Sequence, residues 1–319
     1  MGRTEQISRR LKLRHLNVLL AVVEQGSMVK AAERLAISQP VVSKAIADLE
    51  SLVGVRLLDR GPQGIEPTLY GRALLKRSVA IFDDLKTSID ELGALADPGA
   101  GDLRIGSTEA MGITLVPAII DRLSRQYPRM VFEVVLADPA TLLDRDLRGR
   151  RVDLIVGPFT PDADDDLAVT VFHRDRLYVV SGQTSPWARR RKIALRDLVH
   201  ERWVLPPPTH PIGSLVVNAF RHSGLQPPQC VVTVTSARFT SSLIAGGQFL
   251  GVLASAGLND PHTPVKMLPV DLPMTAWPVS VATLKNRTLG PAAKLFLDCA
   301  RELVKPLAKV GVRSRIMPT

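Results

Sequence analysis

Cysteine is nearly absent from this chain, which has two, Cys230 and Cys299. They lie far apart and in no CxxC or Cys/His spacing, which excludes a disulfide framework or a zinc site as the basis of the fold. Neither carries a basic or capping signature that would lower its pKa, so both are expected as reduced, inert thiols. Apolar runs of membrane-spanning length are missing as well. The first apolar stretch, Val18 to Val23, is too short for a secretory core, and Gln6 breaks the myristoylation pattern, so a cytoplasmic protein without membrane attachment is expected. Catalytic signatures are also lacking. The six histidines are scattered, with His173 and His200 reading as structural, and there is no GxSxG or HExxH. Gly246-Gly-Gln-Phe-Leu-Gly251 has no Lys-Ser/Thr to complete a phosphate loop. No enzyme activity, metal or cofactor is therefore expected. Acidic residues are in deficit, 31 against 41 Lys and Arg, for a formal net charge of +10. The imbalance is densest early, with 13 Lys and Arg against 7 Asp and Glu in residues 1–80, which suits a polyanionic partner. The separate run Arg189-Arg-Arg-Lys192 reads as a solvated loop after Ser185-Pro186.

What the chain does have is a punctuated pair of short helices. Ser27-Met-Val-Lys-Ala-Ala-Glu-Arg-Leu-Ala36 is followed by Ile37-Ser38 and then Gln39-Pro-Val-Val-Ser-Lys-Ala-Ile-Ala-Asp-Leu-Glu50. Gly26 suits the end of a preceding helix, Ser27 and Ser38 suit N-caps, and Pro40 sits in a first turn, where a missing N–H costs least. Val42, Ile46, Leu49 and Val53 recur at i, i+4, i+7 and i+11 as one buried stripe. The opposite face carries Pro40, Ser43, Lys44 and Ala47, groups small or polar enough for close approach to a major groove. Upstream, Leu16, Leu19, Leu20 and Val23 supply a third amphipathic helix. Downstream, Val55 to Arg60, the turn Gly61-Pro-Gln-Gly64 and Ile65 to Thr68 read as a strand–turn–strand wing.

These residues resemble the LysR-type transcriptional regulators. The resemblance rests on Leu13-Arg-His-Leu16, on Ala31-Ala32 with Leu35, and on Ser38-Gln39-Pro40 with Ser43-Lys44 and Leu49-Glu50. Gly54, Leu57 and Arg60 extend it into the wing. Leu58 stands where the family usually has Phe, and Pro67-Thr68 where it usually has Leu-Thr; neither change disturbs an apolar wing root or a strand end. The resemblance implies DNA contacts from Ser38, Gln39, Pro40, Val41, Ser43, Lys44, Ala47 and Arg60.

From Thr68 to about Ala96, Leu75, Val79, Phe82, Leu85, Ile89 and Leu92 are spaced by three or four among charged neighbours, the narrow seam of a coiled-coil-like helix. The resemblance implies that this helix pairs with its counterpart in a dimer. Asp97-Pro-Gly-Ala-Gly-Asp102 ends it. Beyond it, short strands and helices alternate: Leu103–Gly106, Leu115–Tyr127, Val131–Leu136, Leu142–Arg150 and Val152–Val156 argue a parallel α/β sheet. Strands at Val169–Phe172 and Leu177–Val180, Trp203 to Pro206, a helix Leu215–Phe220, Val231–Val234, a helix Arg238–Ala245 and Gly251–Leu253 suggest a second lobe. A last strand at Val279–Thr283 and a helix Pro291–Val304 return to the first.

The expected fold is thus an N-terminal all-α winged helix-turn-helix with a long linker helix, then a C-terminal α/β domain of two lobes, resembling periplasmic solute-binding proteins. The expected boundaries are 1–67 for the DNA-binding domain, 68–97 for the linker and 98–319 for the effector domain. Lobe I would span about 101–175 and 276–319, and lobe II about 176–275. Ligands of such sheets sit at strand carboxyl ends beside helix N-termini. That places Ser107, Thr108 and Glu109 on one side of a cleft, with Pro208, Thr209 and Ser236 on the other. Thr108 could equally be a helix cap, and Glu109 disfavours a simple dicarboxylate, leaving room for a sugar or a cation. The implied function is a ligand-responsive regulator acting on double-stranded DNA with two half-sites. The implied assembly is a homodimer or homotetramer, with RNA polymerase as a further partner. The competing reading is an architectural or repressor protein whose C-terminal domain serves only oligomerisation.

Overall fold

Left-handed glycines mark the ends of the first helices. In the computed structural model, which describes residues 10–61, 64–97, 99–161, 164–255, 258, 264–273 and 276–311 (Arg60 and 305–311 as backbone only), α1 (Leu13–Gln25) stops at Gly26, φ +63°. Helix α2 (Met28–Arg34) follows, and α3 (Gln39–Val53) stops at Gly54, φ +78°. Both stops use the residue type that tolerates this backbone without a Cβ clash. Between α2 and α3, Ala36 takes φ +51°, and the turn is closed by Ala36 N–H to Glu33 O and Ile37 N–H to Ala32 O. Ser27 and Ser38 hold the cap positions, but neither side chain makes a cap hydrogen bond.

Leu19, Val22, Ala31, Val42, Ile46, Leu49 and Leu57 bury the core of these helices. The wing is an antiparallel pair, β1 (Leu58–Gly61) and β2 (Gly64–Pro67), in register Leu58↔Pro67. Its first strand begins three residues later than the alternation suggests. Leu57 and Leu58 N–H both donate to the Glu50 carboxylate (2.7 and 3.2 Å), which takes those donors away from the ladder. Pro62 and Gln63, at the expected turn, lie outside the described residues. Thr68 then starts α4 (Leu69–Ala96), its Oγ1 accepting from Gly71 N–H at 3.0 Å. A Cβ on Gly71 would stand 2.0 Å from Leu57 O, so glycine lets the helix press against the wing root.

The chain divides into two contact units, Met1–Ile89 and Asp90–Thr319. The second is built on β3 (Ala100–Ser107), α5 (Glu109–Gly112), α6 (Leu115–Gln126), β4 (Arg129–Leu136), α7 (Pro139–Thr141) and β5 (Leu154–Gly157). Strand β3 lies parallel to both β4 and β5. The helix expected over Leu142–Arg150 is instead a π turn, Leu142–Leu147, continuing α7.

The largest departure is β6 (Leu167–Gly182), one 16-residue strand where two had been expected. Its first part pairs antiparallel with β11 (Ala276–Leu284), and Leu177–Ser181 pair with β9 (Leu250–Ala254). The sheet is therefore mixed rather than parallel, because β11 and β6 enter it antiparallel. The second lobe adds β7 (Trp203–Leu205), α8 (Pro211–His222), β8 (Cys230–Thr233), α9 (Ala237–Ala245) and β10 (Val265–Met267). Helix α10 (Pro291–Gly311) closes the described chain.

Each lobe has its own apolar centre. Ile105, Ile119, Val156, Val281 and Phe296 fill the first, and Trp203, Val216, Phe220, Leu250 and Trp277 the second. Within the first lobe, Asp153 accepts from Arg104 (2.6 Å) and from Arg287 (2.5 Å). Burial pushes the Asp153 carboxyl up, but hydrogen bonds from Arg104 outweigh it and hold the group below its ordinary range.

Candidate DNA-binding face and effector cleft

Burying Val42, Ile46 and Leu49 turns the other side of α3 outward. Ser38, Gln39, Pro40, Val41, Lys44 and Ala47 are all exposed and Ser43 is half-buried. The structure thus gathers seven of the eight expected DNA residues on one helix surface. The eighth, Arg60, has its backbone in β1 opposite Ile65, and its side chain lies outside the described residues. Ile37 and Val41 are exposed apolar groups at the start of α3, 38% and 52% accessible. Such groups suit contact with a thymine methyl, while Lys44 offers charge to a phosphate or a guanine edge. Ile37 was not singled out from sequence, because a turn residue carries no face in a helical repeat.

On α4 the six expected seam residues divide. Leu75 packs against the core of the helix-turn-helix, Val79 and Phe82 are half-buried, and Leu85, Ile89 and Leu92 are exposed.

In the second unit, β3 ends in Ser107, which is buried and donates its hydroxyl to Thr108 O. Thr108 N–H bonds to Val156 O on the neighbouring strand (3.1 Å), and Thr108 O takes Gly112 N–H (2.8 Å), closing the single turn of α5. The Thr108 side chain makes no cap hydrogen bond. Its Oγ1 is buried and meets no partner among the described residues, so Thr108 holds the cap position without a hydroxyl cap.

Glu109 projects from this turn to the second lobe. Its Oε1 accepts from Ser236 Oγ (2.8 Å) and its Oε2 from Ala237 N–H (2.9 Å). Ser236 is the N-cap of α9 and also accepts from Phe239 N–H at 3.1 Å. A carboxylate therefore sits on the positive end of a nine-residue helix, the position favoured for an anion.

Asp138 and His210 each cap a helix, one in each lobe. Asp138 caps α7 through Ala140 and Thr141 N–H, both at 3.0 Å; a hydrogen bond from the Thr141 hydroxyl, foremost, lowers its carboxyl. His210 caps α8, its Nδ1 accepting from Ile212 N–H (3.3 Å). Burial lowers the His210 imidazole, and the Asp138 charge opposes that only in part.

Pro208 and Thr209 are exposed on the loop before α8. That loop folds tightly over the helix: a Cβ on Gly213 would stand 2.1 Å from Pro207 O. Of the six expected effector residues the structure joins Glu109 to Ser236, with Ser107 and Thr108 as its buried chain neighbours.

A separate cavity of about 450 Å³ lies in the second lobe between Trp187, Arg190, Arg202 and Phe249. None of the expected effector residues lines it. Cys299 is buried, which pushes its thiol up, as befits an inert core cysteine. Among the described residues no helix is long and apolar enough to cross a membrane.

Comparison with known proteins gives this arrangement a family. Residues 13–72 match the bacterial regulatory helix-turn-helix proteins of the lysR family, and residues 96–305 match the LysR substrate binding domain. The HTH-type transcriptional regulator GbpR of Azospirillum brasilense is 29% identical over 296 residues, covering 92% of this chain and 86% of that protein. Among solved structures, full-length CbnR complexed with its target DNA aligns with TM-score 0.67 at 21% identity, over 92% of this chain and 99% of that one. The effector binding domain of QuiR in complex with shikimate aligns with TM-score 0.56 at 20% identity, over 65% of this chain and 98% of that domain. At such identity these two likenesses concern the fold alone. The two matched segments together cover both the helix-turn-helix and the lobed domain, and the chain belongs to the LysR family: it is a DNA-binding transcriptional regulator with an effector-binding C-terminal domain, not an enzyme.

Proposed function

We propose that the protein is a one-component cytoplasmic regulator that binds two DNA half-sites as a homo-oligomer and responds to a small molecule held between its lobes. Residues 1–67 act as the DNA-binding domain, 68–97 as the dimerising linker and 98–319 as the effector domain, with RNA polymerase as a further partner at the promoter. The observation that carries the DNA reading is the division of α3 into a buried stripe and an exposed face with Lys44 at its centre. CbnR, complexed with its target DNA, and QuiR, complexed with shikimate, support the two binding roles by likeness of fold. In the effector domain, Ser107, Thr108, Glu109, Pro208, Thr209 and Ser236 form the ligand contacts. Only a ligand that binds one lobe arrangement more tightly than another can redirect the heads.

Lys44→Ala tests the DNA face by binding isotherms on operator and scrambled duplexes over a range of salt. A phosphate contact predicts uniform weakening and a salt slope lower by about one; a guanine contact predicts a loss of about 1–3 kcal/mol at one base position. Unchanged affinity at every salt concentration removes Lys44 from the interface.

A further inference from the structure

Glu109, on the first lobe, bonds to the N-terminus of α9 on the second. We propose that its side chain is a tethered carboxylate, built into the chain as the occupant of the α9 N-terminus, and that it latches the two lobes together. Two donors from the second lobe, Ser236 Oγ and Ala237 N–H, converge on two different oxygens of one carboxylate from the first lobe (2.8 and 2.9 Å). This is the bidentate pattern of a bound anion.

The residues are 127 positions apart for one bond and 128 for the other, so the contact is no local accident of a turn. The adjoining residue supplies a second, independent observation: Thr108, 9% accessible, buries a hydroxyl that meets no partner among the described residues. Buried hydroxyls are otherwise satisfied.

The latch also limits the ligand class, provided that the lobes hold an effector as proposed above. With the helix end already neutralised, a ligand carboxylate placed there would meet Glu109 as a like charge. The matching ligand instead presents donors, hydroxyl or ammonium groups, to the lone pairs of Glu109 not used by Ser236 and Ala237, and a further polar group to Thr108. Binding that draws Glu109 away from α9 opens the lobes, and binding that adds a donor to the existing contact holds them shut. Glu109 is in either case the group whose bonds the ligand changes.

The test uses the full chain and sodium acetate as the probe, with sodium chloride at matched ionic strength as the control. In Glu109→Ala the helix end is left vacant, and acetate at ten times its dissociation constant should raise the unfolding midpoint of the effector domain by about 3–6 °C. The wild-type protein should show no acetate-specific rise. In parallel, the Ala237 amide should exchange with solvent deuterium at least tenfold faster in the variant, and acetate should slow it again. Equal acetate responses in the two proteins, or an Ala237 amide indifferent to the substitution, would overturn the proposal.

Should Glu109→Ala not fold, Glu109→Asp carries the test, since its carboxylate is retracted by one methylene. Faster exchange at Ala237 supports the latch, and wild-type exchange refutes it. The acetate response requires no effector, so it survives if the effector reading of the cleft fails, and only the latch is at stake in it.

Discussion

The orphaned hydroxyl of Thr108 permits a prediction in which stability and ligand response move in opposite directions. Thr108→Val keeps the branched shape and replaces Oγ1 with a methyl. The wild-type hydroxyl is buried and unpartnered among the described residues, so it carries a desolvation cost without the hydrogen bond that normally offsets it. The Thr108 backbone bonds to Val156 and Gly112 are untouched by the change. Removing the hydroxyl should stabilise the ligand-free domain by about 1–2 kcal/mol, or about 2–8 °C in the unfolding midpoint for a unit of this size. The three tryptophans are Trp187, Trp203 and Trp277, all in the second unit, so tryptophan fluorescence follows that unit alone. Thr108→Ser, which retains the hydroxyl, should show no such gain. The same Thr108→Val protein should lose roughly tenfold to a hundredfold in effector affinity, because a polar group of the ligand is then left without its mate. A midpoint at or below that of the wild type would refute the argument and give the hydroxyl a structural partner.

The remaining tests address the seam and the ionic centre of the first lobe. Phe82→Asp places a charge in the proposed dimer seam and should reduce the dimer mass measured by light scattering; an undiminished dimer hands the assembly to the effector domains. Asp153→Ala leaves Arg104 and the buried Arg287 without their carboxylate and should cost about 3 kcal/mol, read from urea unfolding by tryptophan fluorescence. Because the Asp153 carboxyl is held below its ordinary range, its contribution is present above that range and is lost as pH falls through the folded-state value. The variant should therefore lose less stability on acidification than the wild type, and parallel acid profiles would contradict the pairing.

How much of this was readable in the sequence depends on whether the signal was local. Helix ends at Gly26 and Gly54 and the buried stripe of α3 were legible, because a left-handed stop and a 3.6-residue repeat are written in adjacent residues. The continuity of β6 was not. Its centre, His173-Arg-Asp-Arg176, interrupts the apolar alternation, yet pairing with β11 satisfies the backbone and leaves the arginines exposed. Helix α8 begins at Pro211, four residues before its expected start, because His210 caps it and a histidine cap is an uncommon signal. The acidity of Glu109 was visible, and so was the serine before α9. Their bond was not, since it depends on how two lobes meet.

The path of the chain through the sheet also sets the order in which the molecule can be finished. Strand β5 ends at Gly157, and the strand beside it, β11, supplies the partner Ser280 only after the whole second lobe has been made. The helix-turn-helix core, in contrast, uses residues no later than Leu75. At synthesis rates of about 5–20 residues per second, about 200 residues separate the two events, roughly 10–40 s. During that interval a nascent chain carries a completed DNA-reading head while the first lobe still lacks β11 and α10. The residues of the head are thus all made well before the strand and helix that complete the first lobe.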